Sequence, residues 1–152
     1  MRAMFIDRPG ETRYGDIDTP TPGDDEVLLH IDRIGFCGSD LNTFRGRNPM
    51  VTYPRIPGHE IAGTILATGM TVPDRFEIGQ HVTLNPYTSC GNCPACKIDR
   101  GNACRDNHTL GVQRDGALTE KIAVPWRQLI LSNITNLNHL ALIEPIAVGF
   151  HA

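Results

Sequence analysis

No apolar run in the chain approaches the roughly 18–20 residues that cross a bilayer, because Asp, Arg, Gly or Pro interrupts every one. A membrane span is therefore not expected. Basic clusters are missing too: 14 Lys and Arg, scattered along the chain, stand against 17 Asp and Glu, for a formal net charge of −3. Phosphate recognition needs clustered cations, so nucleic acid is excluded as the main partner. No two glycines lie two residues apart, which removes the Gly-x-Gly-x-x-Gly turn of a dinucleotide fold. Gly58 and Gly63 are followed by Thr64, without the Lys of a phosphate loop. Met1–Asp7 is a short alternating run with no apolar segment leading to a small-residue cleavage site. Export, and with it disulfide formation, is not expected, and the chain reads as cytoplasmic.

What is present fits one globular domain. The 152 residues are 40% hydrophobic and 20% charged, enough for a real core. Fifteen glycines and eleven prolines spread along the chain punctuate short strands and tight turns, which predicts a mainly β fold. The candidate strands are Arg2–Ile6, Glu26–Phe36, Ile61–Ala67, His81–Leu84, Leu118–Val124 and Gln128–Leu131, rich in apolar and β-branched residues and bounded by turn formers. Short strands of this kind suggest a partly open barrel. Leu137, Leu140, Ala141, Ile143, Ile146, Ala147 and Phe150 recur instead at three- and four-residue spacing. They predict a helix beginning near Asn138 in which the sequence stops. No repeat or linker marks a second domain.

Four of the five cysteines, Cys90, Cys93, Cys96 and Cys104, fall within fifteen residues of loop-forming sequence. The spacing C-x2-C-x2-C-x7-C lets one loop wrap four thiolates around a tetrahedral zinc. A loop with little apolar surface needs such a tie, and zinc binding to thiolates is worth roughly 10–16 kcal/mol in small domains. Four sulfurs close the coordination sphere, so this zinc would be structural. A redox switch or disulfide scaffold is the competing reading.

The fifth cysteine, Cys37, ends the strongest strand in Gly35-Phe36-Cys37-Gly38-Ser39-Asp40, and Pro57-Gly58-His59-Glu60 follows twenty-two residues later. Alone, Cys37 reads as a small buried hydrophobe. With His59 and a carboxylate it matches the ligand types that leave zinc an open fourth position. Glu144 supplies the carboxylate from an apolar helical face, where an unpaired charge would be costly.

These residues resemble the zinc-containing medium-chain alcohol dehydrogenases, with five stretches in order: Gly35–Asp40, Pro57–Glu60, the four-cysteine lobe, Gly111-Val112-Gln113-Arg114-Asp115-Gly116, and Glu144-Pro145. The resemblance implies a GroES-like partly open β-barrel with short helices over residues 1–152. It makes the chain an incomplete catalytic domain with a structural zinc lobe at 85–110, and the NAD(P)-binding domain would follow. It makes Cys37, His59 and Glu144 the ligands of a catalytic zinc, and Ser39 the hydroxyl that receives the substrate's proton. Asp40 becomes the carboxylate that orients the histidine ligand, and Glu60 a neighbouring acid or transient ligand. The plainer readings are that Ser39 and Asp40 cap a short helix over Leu41–Phe44 and that Glu60 is a solvated turn residue.

Glu144, with Pro145 and the run Val148–Ala152, resembles the polyol, sugar-acid and threonine dehydrogenase branch. Threonine enzymes of that branch carry histidine where this chain has Asn42, which cannot titrate near neutral pH. A polyol, sugar phosphate or sugar acid is thus the expected substrate, with NAD or NADP as hydride acceptor in the full-length protein and a homodimer or homotetramer as its assembly. Arg45 and Arg47 are candidates for a bidentate contact with carboxylate or phosphate, against a plainer reading as solvated loop charges. His30, His81, His108, His139 and His151 read as structural or exposed, and Trp126 as a core or interface anchor. A stand-alone zinc-binding module without redox turnover is the alternative function.

Overall fold

A computed structural model describes residues 1–151. Its elements, in chain order, are β1 (Arg2–Arg8), β2 (Glu11–Asp16), β3 (Glu26–Gly35), α1 (Gly38–Phe44), β4 (Glu60–Thr68), β5 (His81–Leu84), β6 (Tyr87–Thr88), α2 (Pro94–Lys97), β7 (His108–Thr109), β8 (Lys121–Pro125), β9 (Leu129–Leu131), α3 (Leu137–Ala141) and α4 (Ile143–His151). Five strands form one antiparallel sheet in the order β8-β3-β4-β5-β9, while β1 with β2 and β6 with β7 form separate ribbons. The β1–β2 ribbon meets the rest through single bridges, Ala3 to Thr119 and Ile6 to Arg55. The barrel is therefore partly open, as the strand pattern predicts.

The core follows from strand alternation. Ile61 and Ile65 of β4 point to one face, where they join Val27, Leu29, Val82, Leu84, Leu110 and Val124 in the main cluster. Ala62, on the opposite face, packs with Leu140 and Ala141 of α3. Buried on both faces, β4 is the fold's central wall, and truncating a side chain such as Ile65 to Ala would cost about 2–5 kcal/mol. The buried Thr83 hydroxyl is satisfied by donating to the Ile61 carbonyl at 2.7 Å. Trp126 is half-buried against the main cluster, 5.9 Å from the Phe76 ring, with the Arg75 and Arg127 guanidinia over its own ring.

Two expectations are corrected. Strand β2 reads Glu-Thr-Arg-Tyr-Gly-Asp and is largely exposed; it exists because β1 pairs with it, and no apolar alternation announces it. The single terminal helix is two, α3 and α4, joined at Leu142. Pro145 has no N–H to give the Ala141 carbonyl, so the first helix cannot run through it. Ala152, the last of the Val148–Ala152 run, lies outside the described residues.

Candidate metal centres

In the lobe, α2 starts at Pro94, and a single 3-10 turn covers Gly101–Ala103. These turns bring all four sulfurs within 4.8 Å of one another. Sulfur separations are 4.0 Å for Cys90–Cys96, 3.5 Å for Cys93–Cys96 and 3.9 Å for Cys93–Cys104. Tetrahedral bonds of about 2.3 Å to one zinc would set sulfurs about 3.8 Å apart, so the cage fits the ion, and none of the four is in a disulfide. Backbone N–H groups already point at sulfur: Cys93 donates to Cys90 Sγ and Cys90 to Cys104 Sγ, both at 3.3 Å. The backbone amides of Cys96 and Arg105 bring the Cys93 thiol down to about 6. Burial, with the bond shared with Cys93, pushes Cys96 up to about 11. Four such sulfurs cannot all ionise beside one another without a cation between them.

The second cluster is assembled by the main sheet. Cys37 leaves the end of β3 as the residue before α1, His59 precedes β4, and Glu60 opens β4 opposite Gly35. The ligand atoms of Cys37, His59 and Glu60 lie within 4.8 Å of one another. Asp40, 1% exposed, sits behind them. Its Oδ2 accepts from the Cys37 N–H and its Oδ1 from the Gly58 N–H, each at 3.0 Å. The latter oxygen is 4.0 Å from His59 Nδ1, a buried atom with no hydrogen-bond partner. One carboxylate thus ties together the backbones that carry both ligands. Gly58 makes this possible, since its φ of +96° is a conformation that L side chains rarely adopt.

Glu144 arrives from the first turn of α4. It is outside the 4.8 Å group but close enough in charge to feel it. Burial pushes its carboxyl above the usual range, the His59 charge pulls it back, and Glu60 repels it upward. The Ser39 hydroxyl, two residues from Cys37, is buried without a partner. The helix begins at Gly38, before the expected Leu41, with Cys37 as its N-cap; Asp40, its third residue, caps it by accepting from the Cys37 N–H, and Ser39 does not cap it. Arg45 and Arg47 are exposed in the turn after α1, and Asn42 is exposed on it. A cavity of about 700 Å3 lined by Asn85, Thr88, Asn107, Arg127 and Gln128 lies between the lobe and the connection from β8 to β9, and Cys37 and His59 do not line it. Sequence reading missed the Gly58 amide, because a backbone donor is spelled by no residue letter; only the Pro57-Gly58-His59 order hints at it.

A mainly antiparallel, partly open barrel with a four-thiolate lobe and a Cys-His-carboxylate cluster at its central strands defines a class. Residues 23–134 match the alcohol dehydrogenase GroES-like domain, and the chain belongs to that family. L-galactonate-5-dehydrogenase of Escherichia coli (strain K12) is 37% identical over 152 residues, covering 100% of this chain and 44% of that protein. Sorbitol dehydrogenase of Bacillus subtilis (strain 168) is 38% identical over 159 residues, again 100% and 44%. The crystal structure of galactitol-1-phosphate dehydrogenase from Escherichia coli superposes with a TM-score of 0.91 at 33% identity, covering 99% of this chain and 44% of that one. The chain thus spans less than half the length of these relatives.

Proposed function

We propose that this chain is the catalytic-domain portion of a zinc-dependent dehydrogenase that oxidises a secondary alcohol of a polyol, sugar acid or sugar phosphate, with NAD or NADP as hydride acceptor. The observation that carries the reading is the convergence of Cys37, His59 and Glu60 beside the unpartnered Ser39 hydroxyl. Cys37, His59 and Glu144 hold the catalytic zinc, with His59 Nε2 the nitrogen left free once Nδ1 faces Asp40. Cys90, Cys93, Cys96 and Cys104 hold the structural one. Relatives named for galactonate, sorbitol and galactitol 1-phosphate support the substrate class, and a related rspB dehydrogenase from E. coli is known in complex with NADH.

A zinc ion at the Cys37 site supplies a Lewis acid that eases loss of an alcohol proton. Ser39 Oγ, with no competing partner, accepts that proton and passes it outward. Asp40 fixes the Cys37 and Gly58 amides, and its charge beside His59 favours the tautomer that carries a proton on Nδ1. Glu60 adds negative charge next to His59. The exposed Arg45 and Arg47 offer a fork for a terminal carboxylate or phosphate. Residues 1–152 form an incomplete GroES-like domain in this reading, the lobe occupies 85–110, and the nicotinamide is bound by sequence that follows. Lobe thiols arranged as ligands suit a reducing, cytoplasmic setting, and a homodimer or homotetramer is the expected assembly.

The test is NAD(P)H formation by the full-length protein across a panel of polyols, sugar acids and sugar phosphates, alongside zinc content. Two zinc ions per chain and turnover on the panel are expected. One zinc, indifferent to changes at Cys37, His59 and Glu144, with no cofactor reduction, would overturn the proposal.

A further inference from the structure

The stretch Gly111–Gly116 is among the ordered motifs of the sequence, yet none of its side chains belongs to either metal cluster. Its backbone accounts for a different need. The segment Arg55–Gly58, which delivers His59, is irregular and largely buried, so each of its peptide groups needs a partner. The Arg55 N–H and carbonyl exchange bonds with Ile6 at 3.0 and 2.8 Å, the Ile56 carbonyl accepts from Gly116 at 2.7 Å, the Pro57 carbonyl from Leu118 at 3.0 Å, and the Gly58 carbonyl from Ala117 at 2.9 Å. The Gly58 N–H is taken by Asp40, and proline has none. One donor remains, the Ile56 N–H, and it is held by a side chain: Asp115 Oδ1 accepts from it at 3.1 Å and from Arg55 Nη1 at 3.0 Å. Gly116 lies so close that a Cβ there would press on the carbonyl oxygens of Pro57 and Gly58.

From this complete pairing we infer that Asp115 is a positioning residue for the His59 metal ligand, acting through the Ile56 amide, and that residues 115–118, the end of the motif and the two residues after it, are the cradle against which His59 is set. The inference rests on the proposed metal site at Cys37 and His59. Asp115 is itself largely exposed, but the Arg55 side chain is only 11% exposed, so the carboxylate holds a mostly buried guanidinium as well as the Ile56 amide. It thereby fixes the backbone three residues before a ligand whose other flank, Glu60, is pinned to Gly35 in the sheet.

The experiment uses the full-length protein with cobalt in place of zinc, so that the four-thiolate lobe and the single-thiolate site give separate visible bands. Second-site affinity is measured by chelator competition in the wild type, Asp115→Ala and Asp115→Asn. Removing an outer partner of a metal ligand typically costs 10–100-fold in affinity, and about 10-fold is expected for Asp115→Ala, with the lobe bands unchanged as the internal evidence of folding. Asp115→Asn keeps an oxygen toward Ile56 and should recover most of the loss. Unchanged second-site affinity in Asp115→Ala, equal weakening at both sites, or failure of the Asn variant to recover would overturn the inference. A wild type with lobe bands alone would overturn the metal-site proposal itself, and the inference with it.

Discussion

Cys90, Cys93, Cys96 and Cys104 come from one fifteen-residue loop, whereas Cys37, His59 and Glu60 come from the ends of two neighbouring sheet strands, with Glu144 reaching in from a helix more than eighty residues on. Between Cys90 and Cys104 the buried residues are Cys93 and Cys104 alone, so this loop has no apolar interior of its own. In the proposed structural site a metal would make the structure. At the second site β3 and β4 are already held by the main core and by Asp40, so the structure would prepare a place for the metal. The same element can serve as a fold's missing core or as its reactive centre, and the supply of backbone support decides which.

That contrast can be broken or sharpened by four substitutions in the full-length protein, in falling order of their effect on metal retention. Cys93→Ser should abolish lobe metal and unfold the 85–110 loop, since the binding energy there is folding energy; hydrogen exchange across the loop should become fast while β3 and β4 stay protected. His59→Ala should lower zinc content from about two per chain to one and abolish turnover, with lobe exchange unaltered. If lobe protection fell as well, the two centres would not be independent. Glu144→Ala should weaken the second site about 10–100-fold, a loss outside the lobe that chelator titration resolves. Ser39→Ala should leave both metals in place and reduce kcat about 10²–10⁴-fold, the usual worth of a positioned proton acceptor. Thermal stability should hold, because the hydroxyl has no partner to lose. A kcat within twofold of wild type would remove Ser39 from the proton path.

The lobe was the most legible part of the sequence, because its four cysteines are local and their spacing alone foretells the clustering of their sulfurs. Strand β5 was read to the residue and β4 to within one at each end, since both are rich in apolar and β-branched side chains between turn formers. Strand β2 was invisible because its stability comes from pairing with β1 and not from burial. The break between α3 and α4 was written in Pro145, but apolar spacing that continues across it masks the signal. At the second site the sequence supplied the ligand types, yet the capture of the Gly58 amide by Asp40 and of the Ile56 amide by Asp115 depends on chain segments 18 and 59 residues apart. No local pattern can report such contacts.

Helix α4 carries Glu144 in its first turn and leaves Ile146, Val148 and Phe150 exposed beyond it. Any surface that comes to cover those residues must also fix the helix, and so the distance of Glu144 from His59. In the proposed site, where Glu144 is a ligand, docking at one end of α4 and ligation at the other would be linked by one coupling free energy, the same read from either end.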